Sequence, residues 1–122
     1  MTAVEVVVAG AVGAVLRYLV DRTVQRRAGS DFPLGTLVIN VSGSLVLGIL
    51  VGSAVHHGVS TGELTVAGTG LIGAYTTFST FSFDSVRLLE NGEWAPLTLS
   101  VVASLAAGLG AAAAGLALGS LT

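Results

Sequence analysis

Cysteine and lysine are missing from this 122-residue chain, and charged residues make up only 10% of it. The lack of cysteine excludes disulfides, thiolate metal sites and a cysteine nucleophile. A water-soluble domain of this length needs more charge to cover its surface. The net charge of -2 gives no reason to expect nucleic acid as a partner. These absences favour a protein that lies within the lipid bilayer.

Apolar residues make up 52% of the sequence and are concentrated in long runs. A helix that crosses about 30 Å of hydrocarbon needs roughly 20 such residues. Four segments without the alternation of a strand approach or meet that length: about 4–20, 34–55, 64–89 and 95–120. Gly48-x-x-x-Gly52 and Gly115-x-x-x-Gly119 are patterns that let helix backbones approach closely. The sequence therefore predicts an all-α membrane protein, a single domain (1–122) with four transmembrane helices.

The positive charges are divided unequally between the two sides of the membrane. The segment DRTVQRRAGSDFP, between the first two spans, is interpreted as a loop and carries three arginines. Arg17 lies just before it, and Arg87 lies between the third and fourth spans. The other side carries no arginine or lysine. The positive-inside rule predicts a plasma-membrane (cell inner membrane) protein with loops 1–2 and 3–4 in the cytoplasm and both termini outside.

One segment, GLIGAYTTFSTFSFDS (70–85), differs from its apolar surroundings. Seven hydroxyl side chains and three phenylalanines lie between Tyr75 and Ser85. Such hydroxyls can bond the carbonyl one turn back while the rings face lipid, but at this density they also suit the lining of a polar path or a helix break. Gly70 and Gly73 weaken the helix where the cluster begins. We therefore expect the third span to be broken near 73–77.

A second polar intrusion, Asn40, lies about two turns into the second span. Its carboxamide can join two helices or donate to an anion. No cation lies deep in any span, so an anion would be held by amide and hydroxyl donors and by the electropositive edges of aromatic rings. Phe78 and Phe81 share a helix face, whereas Phe83 points elsewhere.

Three motifs carry a resemblance to a known family. GAVLRY (13–18), GTLVINVSGSLVLG (35–48) and GAYTTFSTFS (73–82) resemble, in order and spacing, the signatures of the small bacterial fluoride channels, the Fluc or CrcB family. The resemblance covers all four spans. It implies an antiparallel dimer of four-helix subunits that conducts fluoride passively and keeps it from accumulating in the cytoplasm.

The resemblance also implies roles for individual residues. The fluoride pore would be lined by Asn40, Phe78, Phe81, Thr80 and Ser104. A structural sodium ion at the dimer centre would be held by the backbone carbonyls of Gly73 and Thr76. Arg17 can attract anions at a vestibule or extend its side chain to the interface. Asp84 occupies a position where the family usually has Glu, one methylene longer.

Two departures from the family pattern bear on the assembly. On the fourth span the family's line of hydroxyls is represented by Ser100 and Ser104, followed on the same face by Gly108 and Ala112. In addition, an antiparallel homodimer needs one chain inserted both ways, which calls for nearly balanced loops. Five positive charges against none predict one orientation, so we hypothesise a dimer with an oppositely oriented paralogue. The alternative is an antiparallel homodimer.

Other functions have less support from the residues. A small four-span proton-coupled multidrug exporter needs a carboxylate inside its first span, and Glu5 is too near the terminus for that. A non-conducting membrane partner subunit would not need the polar cluster. The spans offer no triad, carboxylate pair or metal site, so an enzyme is not expected. His56 and His57 have no third metal ligand at a suitable spacing.

Overall fold

The computed structural model describes residues 2–29, 32–58 and 60–121. Within these ranges the chain is helical, with no strand. In order, the elements are α1 (Thr2–Ala28), α2 (Leu34–His57), α3 (Thr61–Leu64), a π-helical segment (Thr65–Ile72), α4 (Gly73–Tyr75), α5 (Ser79–Glu90) and α6 (Trp94–Leu121). The elements from α3 to α5 form one bent span, with a bend of about 22°. This confirms the predicted all-α fold of four spans with a broken third.

Three of the helices, α1, α2 and α6, are long and apolar enough to cross a membrane. With 24 to 28 residues, each is at least about 36 Å long, more than the hydrocarbon thickness. Their outward faces carry exposed valines and leucines. These faces suit contact with lipid or with another subunit, and the chain is a multi-pass membrane protein.

The first helix is longer than the predicted first span. The charged segment after Val20 was interpreted as a loop, but α1 continues through it to Ala28. Arginine, glutamine and alanine are good helix formers, and Arg26 and Arg27 complement the negative end of the helix dipole. The helix ends where Gly29 has a φ of 62°, a left-handed conformation that glycine adopts without strain. The charge therefore marks where α1 leaves the membrane, rather than where the helix ends.

Gln25 joins the end of α1 to the start of α2. Its Nε2 donates to the carbonyl oxygen of Phe32 at 2.8 Å, and its Oε1 accepts from the amide of Gly35 at 3.1 Å. Pro33 gives the first turn of α2 no side-chain cap. Gln25 therefore satisfies a backbone donor that would otherwise be left at the helix start.

Glycines set the distance between α2 and α6, which make the most extensive helix contact of the described chain. Gly48 and Gly52 face Gly115 and Gly119 across this contact, and a Cβ at Gly115 would overlap the carbonyl oxygen of Leu45. The two backbones are therefore in direct contact. This confirms the close packing that the small-x-x-x-small patterns predict.

A second glycine contact joins α1 to the π-helical segment. A Cβ at Gly13 would overlap the carbonyl oxygen of Leu71, and a Cβ at Gly70 would lie 3.0 Å from the Cβ of Ala9. The wider π-helix and the absence of side chains bring these backbones together. The first glycine contact thus pairs α2 with α6, and the second holds the third span against α1.

We expect Gly115→Ala to destabilise the protein, because the added methyl group meets the backbone of α2. Overpacking of this kind costs about 1–3 kcal/mol. Thermal unfolding of the detergent-solubilised protein, followed by circular dichroism, would show a lower midpoint. Gly110→Ala is the matched control, since no heavy atom lies within 4 Å of a Cβ at that position on the same helix. An equal loss in both variants would contradict the close contact.

Candidate functional site

The third span is interrupted at residues 76–78, which we call the break. Helix α4 ends at Tyr75, and Thr76 is extended with φ -76° and ψ 160°. The amide and the hydroxyl of Thr76 both donate to the carbonyl oxygen of Ile72, at 2.9 and 3.1 Å. Helix resumes at Ser79. The break thus overlaps the end of the predicted range 73–77.

Asn40 of α2 holds the break through two hydrogen bonds to one residue. Its Nδ2 donates to the carbonyl oxygen of Thr77 at 2.9 Å, and its Oδ1 accepts from the amide of Thr77 at 2.9 Å. The carboxamide thereby replaces the helical partners that Thr77 lacks. Of the two roles considered for Asn40, the interhelical hydrogen bond is present. A carboxamide nitrogen has two N–H groups, so one remains for another acceptor.

The break diverts the usual helical donors away from two backbone carbonyls. In a continuous α-helix the carbonyl of Gly73 would accept from the amide of Thr77, which instead donates to Asn40. The carbonyl of Thr76 would accept from the amide of Thr80, which instead donates to Oγ1 of Thr77 at 3.1 Å. The two predicted sodium ligands are thus carbonyls that have lost their regular helical partner.

Two further contacts between α2 and the third span lie beside the break, at residues that are not among the predicted site residues. The hydroxyls of Ser42 and Tyr75 lie 2.9 Å apart, and a Cβ at Gly43 would overlap the methyl group of Thr76. Gly43 lies three residues after Asn40, on the same face of α2. A glycine at that spacing from the polar side chain is the signal that indicates a close backbone approach.

A cavity of about 400 Å³ lies beside the break. Six of the predicted site residues line it: Asn40, Gly73, Thr76, Phe78, Phe81 and Ser104. None of the described residues that line it is charged. An anion in this cavity would meet neutral donors.

The two phenylalanines of the cavity form a pair. The ring centroids of Phe78 and Phe81 are 6.0 Å apart with an angle of 40° between the planes, so the rings share a face as predicted. Phe78 is 79% exposed. Since Phe78 lines the cavity, its exposure shows that the cavity of the single subunit is open on this side. The open side suits contact with lipid or with a second subunit.

The other three predicted residues lie outside the large cavity. Thr80 lines two smaller cavities, one of them with Arg17 and the other with Asp84. Thr77 borders both the large cavity and the one that contains Arg17. The break therefore separates an uncharged cavity from a region with charged side chains, a division that the sequence motif does not show.

Asp84 connects α5 to the start of α2. Its Oδ2 accepts from Oγ1 of Thr36 at 3.1 Å, and its Oδ1 lies 3.8 Å from Nη2 of Arg87. Thr36 is only 3% exposed. The shorter side chain of aspartate thus still reaches a buried hydroxyl on α2. The ion pair with the half-exposed Arg87 contributes little, at most about 1 kcal/mol.

The hydroxyl-bearing face of α6 lies against α2. Ser100 is buried, 2% exposed, and Ser104 lines the large cavity. One turn later, where this face has Gly108, a Cβ would lie 4.0 Å from the hydroxyl oxygen of Ser44. Ser44 also lines the cavity. A hydroxyl from α2 therefore stands opposite the position where α6 has none.

The two histidines bond to backbone carbonyls. A ring nitrogen of His56 lies 3.0 Å from the carbonyl oxygen of Gly52, and one of His57 lies 3.0 Å from that of Ser120. In residues 2–29, 32–58 and 60–121, no group of three or more histidine, cysteine or carboxylate side chains could hold a metal ion.

A bundle of four spans, with a broken third span and a cavity lined by neutral donors, is the architecture of a small membrane channel or transporter. The model of the family described as CrcB-like protein, Camphor Resistance (CrcB), matches residues 4–116. The chain belongs to this family. The resemblance seen in the three motifs is thereby confirmed.

Similar curated proteins cover nearly the whole chain. The fluoride-specific ion channel FluC 1 of Streptomyces avermitilis is 54% identical over 111 residues, 89% of each chain. FluC 1 of Leifsonia xyli is 45% identical over 95% of this chain and 85% of the relative. FluC 2 of Mycobacterium tuberculosis is 43% identical over 90% of this chain and 84% of the relative. These relatives are ion channels and not enzymes.

We expect Asn40→Asp to loosen the break. A carboxylate can still accept from the amide of Thr77, but it cannot donate to the Thr77 carbonyl and would repel it. Leaving such a group without its partner costs about 1–3 kcal/mol. Hydrogen–deuterium exchange should therefore be faster in peptides that cover residues 73–82.

Ser42→Ala is the control for this change. It removes a hydroxyl contact with the Tyr75 side chain but leaves both hydrogen bonds of Thr77. Faster exchange of the Thr77 amide in Ser42→Ala, to the same degree as in Asn40→Asp, would show that Asn40 does not hold the break.

Proposed function

We propose that the chain is a subunit of a passive fluoride-selective channel, through which fluoride leaves the cytoplasm. The observation that carries this proposal is the cavity beside the break, where Asn40, Phe78, Phe81 and Ser104 converge. The relatives described above are fluoride-specific ion channels, which supports the identity of the ion.

The chemistry of the cavity suits fluoride. Fluoride is small and strongly hydrated, so a pore must replace its water with closely spaced donors. The free N–H of Asn40 and the hydroxyl of Ser104 are such donors, and the rims of the Phe78 and Phe81 rings are electropositive. Because these groups are neutral, they hold an anion weakly enough for it to leave, as conduction requires.

The open side of the cavity supports a dimer. Lipid or a second subunit could cover the exposed ring of Phe78, and a second subunit would also complete the wall of the cavity. We propose the antiparallel arrangement that the family resemblance implies. In that arrangement Thr80 would lie near the ion path on the side towards Arg17, as its place in the smaller cavities suggests.

A sodium ion at the dimer centre is compatible with the break. The carbonyls of Gly73 and Thr76 have lost their helical donors, and carbonyl oxygens are suitable ligands for a hard cation. Sodium held there would satisfy these carbonyls and add positive potential to an uncharged bundle. This is the role that we propose for it.

The arginine distribution supports a single orientation in the plasma membrane, with loops 1–2 and 3–4 in the cytoplasm and both termini outside. Since an antiparallel dimer then needs a subunit of opposite orientation, we propose a paralogue as partner. The alternative is a homodimer of one chain inserted both ways.

Phe81→Ile should lower fluoride efflux from liposomes that contain the purified chain. The change removes a ring edge from the cavity. We expect the efflux rate to fall about tenfold, which corresponds to a loss of about 1.4 kcal/mol of stabilisation. A fluoride electrode measures the efflux, with chloride as the comparison anion. Phe83→Ile is the matched control, because Phe83 is exposed and does not line the cavity.

Several outcomes of this assay would contradict parts of the proposal. Efflux that depends on a proton gradient would favour the exporter. Equal losses of efflux in Phe81→Ile and Phe83→Ile would show that Phe81 has no specific role in the ion path. If neither the chain alone nor the chain together with an oppositely oriented paralogue gave efflux, the result would favour a non-conducting partner subunit. If protein prepared and assayed without sodium kept full stability and efflux, the sodium proposal would fail.

A reporter fused to either terminus should be found outside the cytoplasm in nearly all molecules, because all five arginines lie in or beside the two loops of the other side. Accessibility of each reporter in intact cells measures the orientation. Equal populations facing each way would overturn the paralogue proposal and establish that this chain can form the antiparallel homodimer.

A further inference from the structure

The last three turns of α1 hold most of the positive charge of the protein. Four of the five arginines lie between residues 17 and 27. Arg22, Arg26 and Arg27 are exposed. In the described residues none of these three forms an ion pair, since the one such contact joins Arg87 to Asp84. These charges need a partner outside the subunit or remain in water.

Two of these arginines continue an apolar stripe along α1. The residues of the stripe alternate in steps of four and three, which keeps them on one helix face: Val8, Val12, Val15, Leu19, Arg22 and Arg26. The four apolar members are exposed by 59%, 49%, 57% and 51%. From Val8 to Leu19 the helix rises about 16 Å, roughly the hydrocarbon depth of one leaflet. The stripe therefore presents an acyl-chain length of apolar surface that ends in two cations.

Arg22 is positioned by the aromatic ring one turn before it. Its Nη1 donates to Oη of Tyr18 at 2.8 Å, and its Cζ lies 5.9 Å from the centroid of that ring. A guanidinium has five N–H donors, so several remain for a phosphate. Tyrosine at this depth is typical of the membrane interface. The guanidinium is thus held at the level of lipid headgroups.

Asp21, which directly precedes Arg22, is turned away from the stripe. Asp21 lies against Gly35 of α2 and lines a polar cavity with Gln25 and Thr36. Its carboxylate faces the interior of the bundle and does not neutralise the stripe. At the C-terminal end of this face the exposed charge is therefore positive, while Glu5, exposed on the same face, lies at the opposite end of α1.

We propose that this stripe binds an anionic phospholipid, with an acyl chain along Val8 to Leu19 and the phosphate between Arg22 and Arg26. A cluster of basic residues directly beside a membrane span attracts anionic lipid. The proposal depends on membrane insertion of α1 and not on fluoride conduction.

The test is native mass spectrometry of the full-length protein, released from detergent after titration with phosphatidylglycerol or with phosphatidylcholine of the same acyl chains. Phosphatidylglycerol should bind at least about tenfold more tightly, as two arginines near the anionic headgroup would produce. The double variant Arg22→Gln, Arg26→Gln should lose this preference. Arg27→Gln, which removes the same kind of charge one position off the stripe, should keep it.

Other results would overturn the proposal. Equal binding of the two lipids, or an equal loss in Arg27→Gln, would show that the stripe does not select the headgroup. Displacement of the lipid by millimolar inorganic phosphate would indicate an ion site. A change of oligomeric state in the double variant would make the stripe a subunit interface. Circular dichroism verifies that both variants, which exchange exposed side chains, keep their helices.

Discussion

The two hydrogen bonds between the side chain of Asn40 and the backbone of Thr77 make the rest of the site possible. A helix can be interrupted inside a bilayer only if the freed backbone groups find partners within the protein. Here one carboxamide supplies both a donor and an acceptor. Because it satisfies Thr77 completely, the chain can turn at the break and place Phe78 and Phe81 beside Asn40.

Glycine contacts position that carboxamide. Gly43 lets α2 approach Thr76, and Gly115 lets α6 approach α2. Ser104 of α6 thereby reaches the same cavity as Asn40. Without these close approaches, side chains as short as serine and asparagine could not reach a common cavity. The small residues therefore act by shortening the distance between helix backbones, whereas the polar residues supply the hydrogen-bond donors and acceptors of the cavity.

Much of the fold and part of the site could be predicted from the sequence. The four spans follow from apolar runs, and the cavity residues Asn40, Phe78 and Phe81 lie in motifs with helical spacing. The extension of α1 to Ala28 was not predicted, because charge was taken to end the helix as well as the membrane span. The separate cavities of Thr80 were not predicted either, since they form only where α5 packs against α1 and α2.

The low charge and the four long apolar runs by themselves predicted a four-span membrane bundle, because such runs are stable where they face lipid and not water. The motifs by themselves determined its family. Only the tertiary structure decided that the carbonyls of Gly73 and Thr76 lose their helical amide donors. It also decided that Asp84 reaches Thr36 and that Asp21 faces inward while Arg22 faces outward. These relations depend on distances between helices, and distances arise only when the helices pack.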